Sequence, residues 1–409
     1  MRVVRPDTQP PSGSSRPDGV QGIVDEVRQG GDAAVLRLTA RFDKAELRPQ
    51  ELQVPPQEIE ASLGVLQPEV LSGLRTAIAN VRSVAEAQVR GAIPVELPQG
   101  QRVEIAEVPV RRVGLYAPGG RAVYPSTVVM GAVTARVAGV DQIAVCAPPG
   151  AGGRAHPAIL AACVLCEVSE VYRMGGAQAI AALAYGTESV RAVDVIAGPG
   201  NPWVQEAKRL VAGDVGIDGI AGPSELVVLA TAGADPELAA LDLLAQAEHG
   251  PDSDLTLIST DADLLEQVAA AVERLAADRP TATAQQVTAL AVDDAFEGLR
   301  LAETLFPEHL QLVGEEAEAL VSRVRVAGCV FIGAGAGTAF GDYVAGSNHV
   351  LPTGRAARFQ GMLSPATFRR RMARVSLPGE APTRLAPAGA AIARAEGFPV
   401  HAESMERRA

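Results

Sequence analysis

Four of the five histidines in this chain sit among carboxylates, amides and glycines. The segments are Gln246-Ala247-Glu248-His249-Gly250, Pro307-Glu308-His309-Leu310, Gly341-Asp342-Tyr343 running on to Asn348-His349, and Glu396 to His401. Imidazole beside carboxylate serves both proton transfer and metal ligation. Gln246 and His249 are three apart at the end of a predicted helix stopped by Gly250, so they share one helical face and can both meet a divalent cation. The plainer reading is a histidine capping the negative end of the helix dipole. Asp342, Asn348 and His349 read either as a ligand cluster or as a hydrogen-bonded loop; one carboxylate with one or two imidazoles suits zinc. Glu308 and His309 are adjacent and point in different directions. That suits two separate proton-transfer roles, one activating water and one handling a substrate hydroxyl, against the alternative of a surface Pro-Glu helix start. Only His156, in a Gly/Pro-rich stretch, reads as an ordinary surface histidine.

Two glycine turns, Gly175-Gly176-Ala177-Gln178 and Gly198-Pro199-Gly200-Asn201, each follow an apolar strand and open a helix. Backbone N–H groups at such turns can hold an anionic phosphate, with Gln178 and Asn201 as added side-chain donors; tight α/β proteins also use glycines there simply to turn. Gly333-Ala334-Gly335-Ala336-Gly337 lacks the last spacing of the dinucleotide fingerprint. It reads as a loop leading to Asp342 with no helix after it.

The elements that must position these residues alternate. Helices are predicted over 20–29 and, capped by Asp32, to Phe42, with a further amphipathic run from Pro68 to Arg90 and a strand or hairpin over 103–113. From Arg112 the pattern repeats strand, glycine turn, helix; a second such region starts at Leu226. This predicts an α/β fold with parallel sheets covered by helices. Cys163 and Cys166 form a C-x-x-C, but on what reads as the buried face of a helix and with no second pair, so core packing is the better reading.

The chain has 409 residues and a formal net charge of −12. The length predicts two or three domains. The acidic balance argues against general nucleic-acid binding, and no apolar run reaches the roughly 20 residues of a membrane span. Met1 to Asp18 has no apolar core of the kind a secretory signal needs and reads as a flexible lead-in. A reducing, cytoplasmic setting is expected.

Taken together, these motifs resemble the histidinol dehydrogenases. The likeness runs from about Ile23 to Arg407. Its motifs are Gly30-Gly-Asp-Ala with Arg41-Phe-Asp43, Leu115-Tyr-Ala-Pro-Gly-Gly120, Tyr124-Pro-Ser, the two glycine turns, Ala221-Gly-Pro-Ser-Glu225, Gln246 to Ser253, Pro307 to Leu310, Gly341-Asp-Tyr, Asn348 to Pro352 and His401-Ala-Glu-Ser. The resemblance implies two large α/β domains like incomplete Rossmann folds, with small terminal segments used in dimerisation. In numbers, 1–19 would be a flexible arm, 20–115 with 226–362 a discontinuous domain carrying the catalytic and metal residues, 116–225 the NAD side, and 363–409 a dimerisation tail. It implies a homodimer with active sites shared between subunits. The enzyme would oxidise L-histidinol through L-histidinal to L-histidine with NAD and one zinc per site, the last step of histidine biosynthesis.

By the same likeness Gln246, His249, Asp342 and His401 would bind zinc, and Glu308 and His309 would be the acid/base pair. Ser224, Gln246, His249, His309, Asp342, Glu396 and His401 would contact substrate, Glu396 and His401 arriving from the partner subunit. Tyr116, Gln178 and Asn201 would contact NAD. Trp203 stands where the family usually has tyrosine, the N-terminal arm is atypical, and 360–378 matches the family poorly. Two rivals stand beside this reading: a same-family dehydrogenase of another small amino or hydroxy alcohol, and a zinc hydrolase in which Glu308 activates water and no nucleotide binds.

Overall fold

The computed structural model describes residues 2–3, 17–119, 122–282 and 286–409. Among them are two parallel sheets and one antiparallel sheet. The first parallel sheet orders its strands Glu170–Arg173, Gln142–Ala147, Arg112–Tyr116, Val195–Ala197, Gly216–Ile217. The second orders them Arg2–Val3, Thr288–Ala291, Asp254–Ser259, Glu225–Ala230, His309–Val313, Cys329–Ile332. In each sheet the chain winds outward one way, returns to the middle, then winds the other way. Each therefore has a point where the winding reverses: between Arg112–Tyr116 and Val195–Ala197, and between Glu225–Ala230 and His309–Val313. At the carboxyl ends of strands such reversals open crevices where ligands of α/β proteins bind, as at the glycine turns of the first sheet.

The central strands are near-continuous apolar runs because helices cover both faces. Helix boundaries follow from capping. Asp235 and Asp261 accept N–H bonds at the starts of Pro236–Ala247 and Ala262–Ala276. Asn201 does the same for Pro202–Val211, with proline at the first helical position. Cys163 and Cys166 are buried in the core beneath the first sheet, and burial pushes the Cys166 thiol up to about 12.

Three details differ from the sequence expectation. The helices of 20–86, expected to belong with 226–362, pack on the first sheet. Val20–Phe42 lies on Gly176–Tyr185 and Pro202–Val211, while Pro68–Glu86 lies on Pro125–Ala138. Their apolar faces match the exposed sides of those helices, and an amphipathic pattern does not name its partner. Val20–Phe42 is one helix with a kink at Gly31, and Asp32 caps nothing in it. The Asp32 carboxylate instead accepts from Thr187 and Ser189 across the fold. Finally, the helix Thr338–Tyr343 forms directly after the Gly333–Gly337 run. Gly341 sits inside it because the Phe331 ring fills the space a Cβ would take.

The strand Arg369–Ser376 pairs antiparallel with Arg102–Pro109, which pairs with Ile93–Glu96. Beyond it the helices Ala381–Ala395 and Pro399–Glu406 pack chiefly on each other through Ala390, Ala393 and Ala402. The arm expected over 1–19 lies mostly outside the described residues, although 2–3 pair with 288–289. No described helix is long and apolar enough to cross a membrane.

Leu229, in the middle strand of the second sheet, is fully buried, and Gly298 makes room for it on the facing helix. Leu229→Ala should destabilise the protein by about 2–5 kcal/mol, read as a lower midpoint in chemical denaturation. A loss under about 1 kcal/mol would contradict this packing.

Candidate active site

Parallel pairing of Glu225–Ala230 with His309–Val313 brings the residues just before both strands to one sheet edge. There the backbone N–H of Glu225 donates to Glu308 Oε2 at 3.1 Å. His309 follows, buried, with Nδ1 3.5 Å from Glu308 Oε2 and Nε2 3.8 Å from Asp342 Oδ1. The other Asp342 oxygen lies 3.8 Å from His249 Nε2. The helix Thr338–Tyr343 delivers Asp342, and it packs on Pro236–Ala247, whose end carries Gln246 and, just beyond, His249. One chain therefore gathers Glu308, His309, Asp342 and His249, with Gln246 on the same helix end.

The electrostatics follow from burial competing with opposite charge. Burial would raise Asp342, but His249 beside it and the fields of His309 and His349 outweigh it and hold the carboxyl below its ordinary range. His249 is raised, first by its interaction with the Asp342 carboxylate 3.8 Å away and against burial. For His309 burial lowers the pKa, but Glu308 and Asp342 more than offset this, so the net direction is up. The Asn348–His349 segment is a hydrogen-bonded loop. Asn348 donates to Met130 O and Thr134 Oγ1, and His349 Nδ1 lies 2.7 Å from the Asp342 carbonyl oxygen.

A metal fits the donor set in part. Among the described residues no three His, Cys, Asp or Glu side chains converge as a metal group. His249 and Asp342 are two such ligands, however. Beside them the Gln246 side chain is buried with an amide nitrogen that has no hydrogen-bond partner. That nitrogen is a donor and calls for an acceptor; it is the Gln246 amide oxygen that could meet a divalent cation. His401 and Glu396 lie exposed on the C-terminal helices, and no hydrogen bond or ion pair among the described residues links them to this cluster.

Tyr116 ends a strand of the first sheet, and Gln178 and Asn201 follow two others, so all three lie at its carboxyl edge. The Gly176 N–H donates to the Tyr116 hydroxyl at 3.1 Å, tying the first strand to the glycine turn. Gln178 is buried and donates to Asp43 Oδ2 at 3.1 Å, and Asn201 caps its helix from an exposed position. Between the two sheets lies a cavity of about 90 Å³ that reaches Ser224, Glu308 and His349 on one side and Gly198, Lys208 and Gln360 on the other.

The sequence reading missed Glu225, whose carboxyl is pushed up to about 7 by burial and then by neighbouring Glu308. A charged residue opening an otherwise apolar strand was the available signal. It also missed Asp43, which holds Gln178.

Comparisons with known proteins bear on this arrangement. A family model for histidinol dehydrogenase matches residues 11–409. The chain is 43% identical to the histidinol dehydrogenase of Parasynechococcus marenigrum over 405 residues, covering 97% of this chain and 92% of that one. The chain belongs to the histidinol dehydrogenase family. It is also 42% identical to the histidinol dehydrogenase of Zymomonas mobilis, covering 95% of this chain and 92% of that protein. A crystal structure of histidinol dehydrogenase from Elizabethkingia anophelis superposes with a TM-score of 0.94 at 31% identity, covering 100% of this chain and 97% of that one. As a member of the histidinol dehydrogenase family the protein is an oxidoreductase, which sets the hydrolase reading aside, and its architecture is that of the family.

Asp43 gives this site a pH signature. Burial raises its carboxyl from 3.8 to about 6, against hydrogen bonds from Gly175 and Gln178 that lower it. A raised carboxyl favours the fold below about pH 4, and that stabilisation is lost as pH rises through about 6. Asp43→Asn keeps an oxygen for Gln178 and does not ionise. Its melting temperature should rise relative to wild type between about pH 4 and pH 7 and then level off. A difference that does not change with pH would refute the assignment.

Proposed function

We propose that this protein catalyses the four-electron oxidation of L-histidinol through L-histidinal to L-histidine with NAD, the last step of histidine biosynthesis, in the cytoplasm. The observation that carries the reading is the convergence of Glu308, His309, Asp342 and His249, with Glu308 reaching the cavity, in a chain of this family. Gln246, His249 and Asp342, with His401, would hold one zinc. Bound zinc supplies a fixed point for the imidazole and amino nitrogens of the substrate, and NAD supplies the hydride acceptor.

The chain's own groups divide the proton work. His309 is buried, and Glu308 and Asp342 make it more basic than an isolated imidazole in the same place. It takes the hydroxyl proton of the alcohol and later that of the aldehyde hydrate. Glu308, fixed by the Glu225 N–H, deprotonates the water that adds to the aldehyde. Ser224 contacts the substrate from the cavity wall. Tyr116, Gln178 and Asn201 receive NAD at the carboxyl edge of the first sheet.

The same proposal covers assembly. The reading that a neighbouring chain completes the site is supported by the exposed position of Glu396 and His401, away from the cluster. The tail helices expose Ile392, Phe398 and Val400 (60%, 53% and 73% of their surface) beside Glu396 and His401. Leu363, Phe368 and the strand Arg369–Ser376 stay with their own chain, so in a two-fold homodimer it is the helical hairpin beyond Ser376 that would reach a neighbour and bring Glu396 and His401 to its site. The NAD side would be 116–225 and the catalytic side 226–362, with the helices of 20–86 supporting the former. No nucleic-acid or membrane partner is invoked.

NADH formation from L-histidinol tests the core of this reading; a protein that stays silent with NAD and zinc present contradicts it. Within that assay Glu308→Gln should damage aldehyde oxidation far more than alcohol oxidation, and His309→Asn should damage both, by about 10²-fold or more. Equal loss in both halves for Glu308→Gln would overturn its role.

Shared sites have their own test. Asp342→Ala and His401→Ala, each inactive, are unfolded and refolded together. A crossed heterodimer has one wholly wild-type site and regains activity. If proven heterodimers are no more active than either parent, the tail does not cross.

A further inference from the structure

The roles assigned so far leave one buried ion pair unused. Lys208, on the helix Pro202–Val211, pairs with Asp218, their side chains only 1% and 5% exposed. Taking an ammonium and a carboxylate out of water is costly, and apolar residues of similar volume often serve stability as well. What apolar residues could not supply are the two further bonds. Lys208 Nζ donates to the carbonyl oxygen of Gly198 at 3.1 Å, and Asp218 Oδ2 accepts from the Gly198 N–H at 2.7 Å. The pair thus grips both polar groups of one residue.

That residue begins the Gly198-Pro199-Gly200-Asn201 turn, where the winding of the first sheet reverses. Gly198 has φ +123°, and a Cβ there would overlap the Tyr116 carbonyl oxygen. The turn is therefore pressed against the backbone of Tyr116. Asn201 opens the helix by accepting from the N–H groups of Trp203 and Val204, and two turns later the same helix supplies Lys208. Cap and grip belong to one rigid body. On the far side, the Asp218 carbonyl accepts from Gln360, which also lines the cavity.

We propose that Lys208 and Asp218 are positioning residues that hold the Gly198–Asn201 turn in the shape that receives the nucleotide, and so set the affinity for NAD. This rests on the cofactor reading above. Both residues line the cavity that Ser224 and Glu308 also reach, but their side-chain polar atoms are engaged with each other and with Gly198, so the L-histidinol side of the reaction should be largely indifferent to the pair.

The experiment uses the full-length, zinc-loaded enzyme, with melting temperature, kcat and the KM for NAD and for L-histidinol measured separately. Lys208→Met should raise the KM for NAD by about tenfold or more. Its kcat and its KM for L-histidinol should stay within about twofold of wild type. Should Lys208→Met not fold, Lys208→Arg carries the test. It keeps the charge but moves it off the Gly198 carbonyl, and must raise the KM for NAD selectively. An unchanged KM for NAD in a folded variant overturns the proposal. So does a parallel loss in kcat and both KM values, the mark of a merely structural pair. A wild-type enzyme that does not use NAD removes the cofactor reading and the clamp with it, and is told apart because the failure appears before any substitution.

Discussion

The carboxylate of Asp342 is the constraint around which the rest is arranged. It is largely withdrawn from water, yet held ionised between two imidazoles on separate elements. Such a charge is tolerable only where cationic or hydrogen-bonding groups meet it from fixed directions. His249 must come from the end of one helix, His309 from the start of a strand, and Asp342 itself from a six-residue helix seated on the first. The helix and the strand that carry His249 and His309 are buried in the second sheet's core, and the short helix with Asp342 rests on the first of them, so the site inherits the rigidity of that core.

The two sheets meet this constraint from opposite ends. The second sheet presents the starts of its strands, where Glu308 and His309 stand; the first presents the ends of its strands, where the glycine turns lie. The cavity between them is bounded by both. This opposition lets one face supply proton-transfer groups while the other offers N–H donors and open backbone, with neither crowding the other.

Much of this was legible in the sequence, for identifiable reasons. The glycine turns were visible because each follows an apolar strand and precedes a helix. The alternation from Arg112 onward predicted the parallel sheets that the chain forms. What escaped were relations between distant segments. Nothing in the amphipathic pattern of 20–42 or 68–86 says which sheet receives it. Nothing in the sequence marks Lys208 and Asp218 as a pair; the helix Pro202–Val211 and the chain just after the strand Gly216–Ile217 bring them together in the interior. Glycine-rich flanks hid the helix Thr338–Tyr343, since the need for small residues there comes from the Phe331 ring, contributed by a different strand. Asp32 looked like a helix cap because its usual local partners are near in sequence, whereas its actual partners lie at 187–189.

The helical hairpin at the C-terminus has a consequence for how the protein behaves in bulk. Its two helices rest chiefly on each other, joined to the body through the strand Arg369–Ser376 and the turn after it. If such an arm completes a neighbour's site, catalytic competence is coupled by mass action to protomer association. Dilution would then silence the protein while every domain stayed folded, and the number of chains in the cell would govern the fraction working as well as the total capacity.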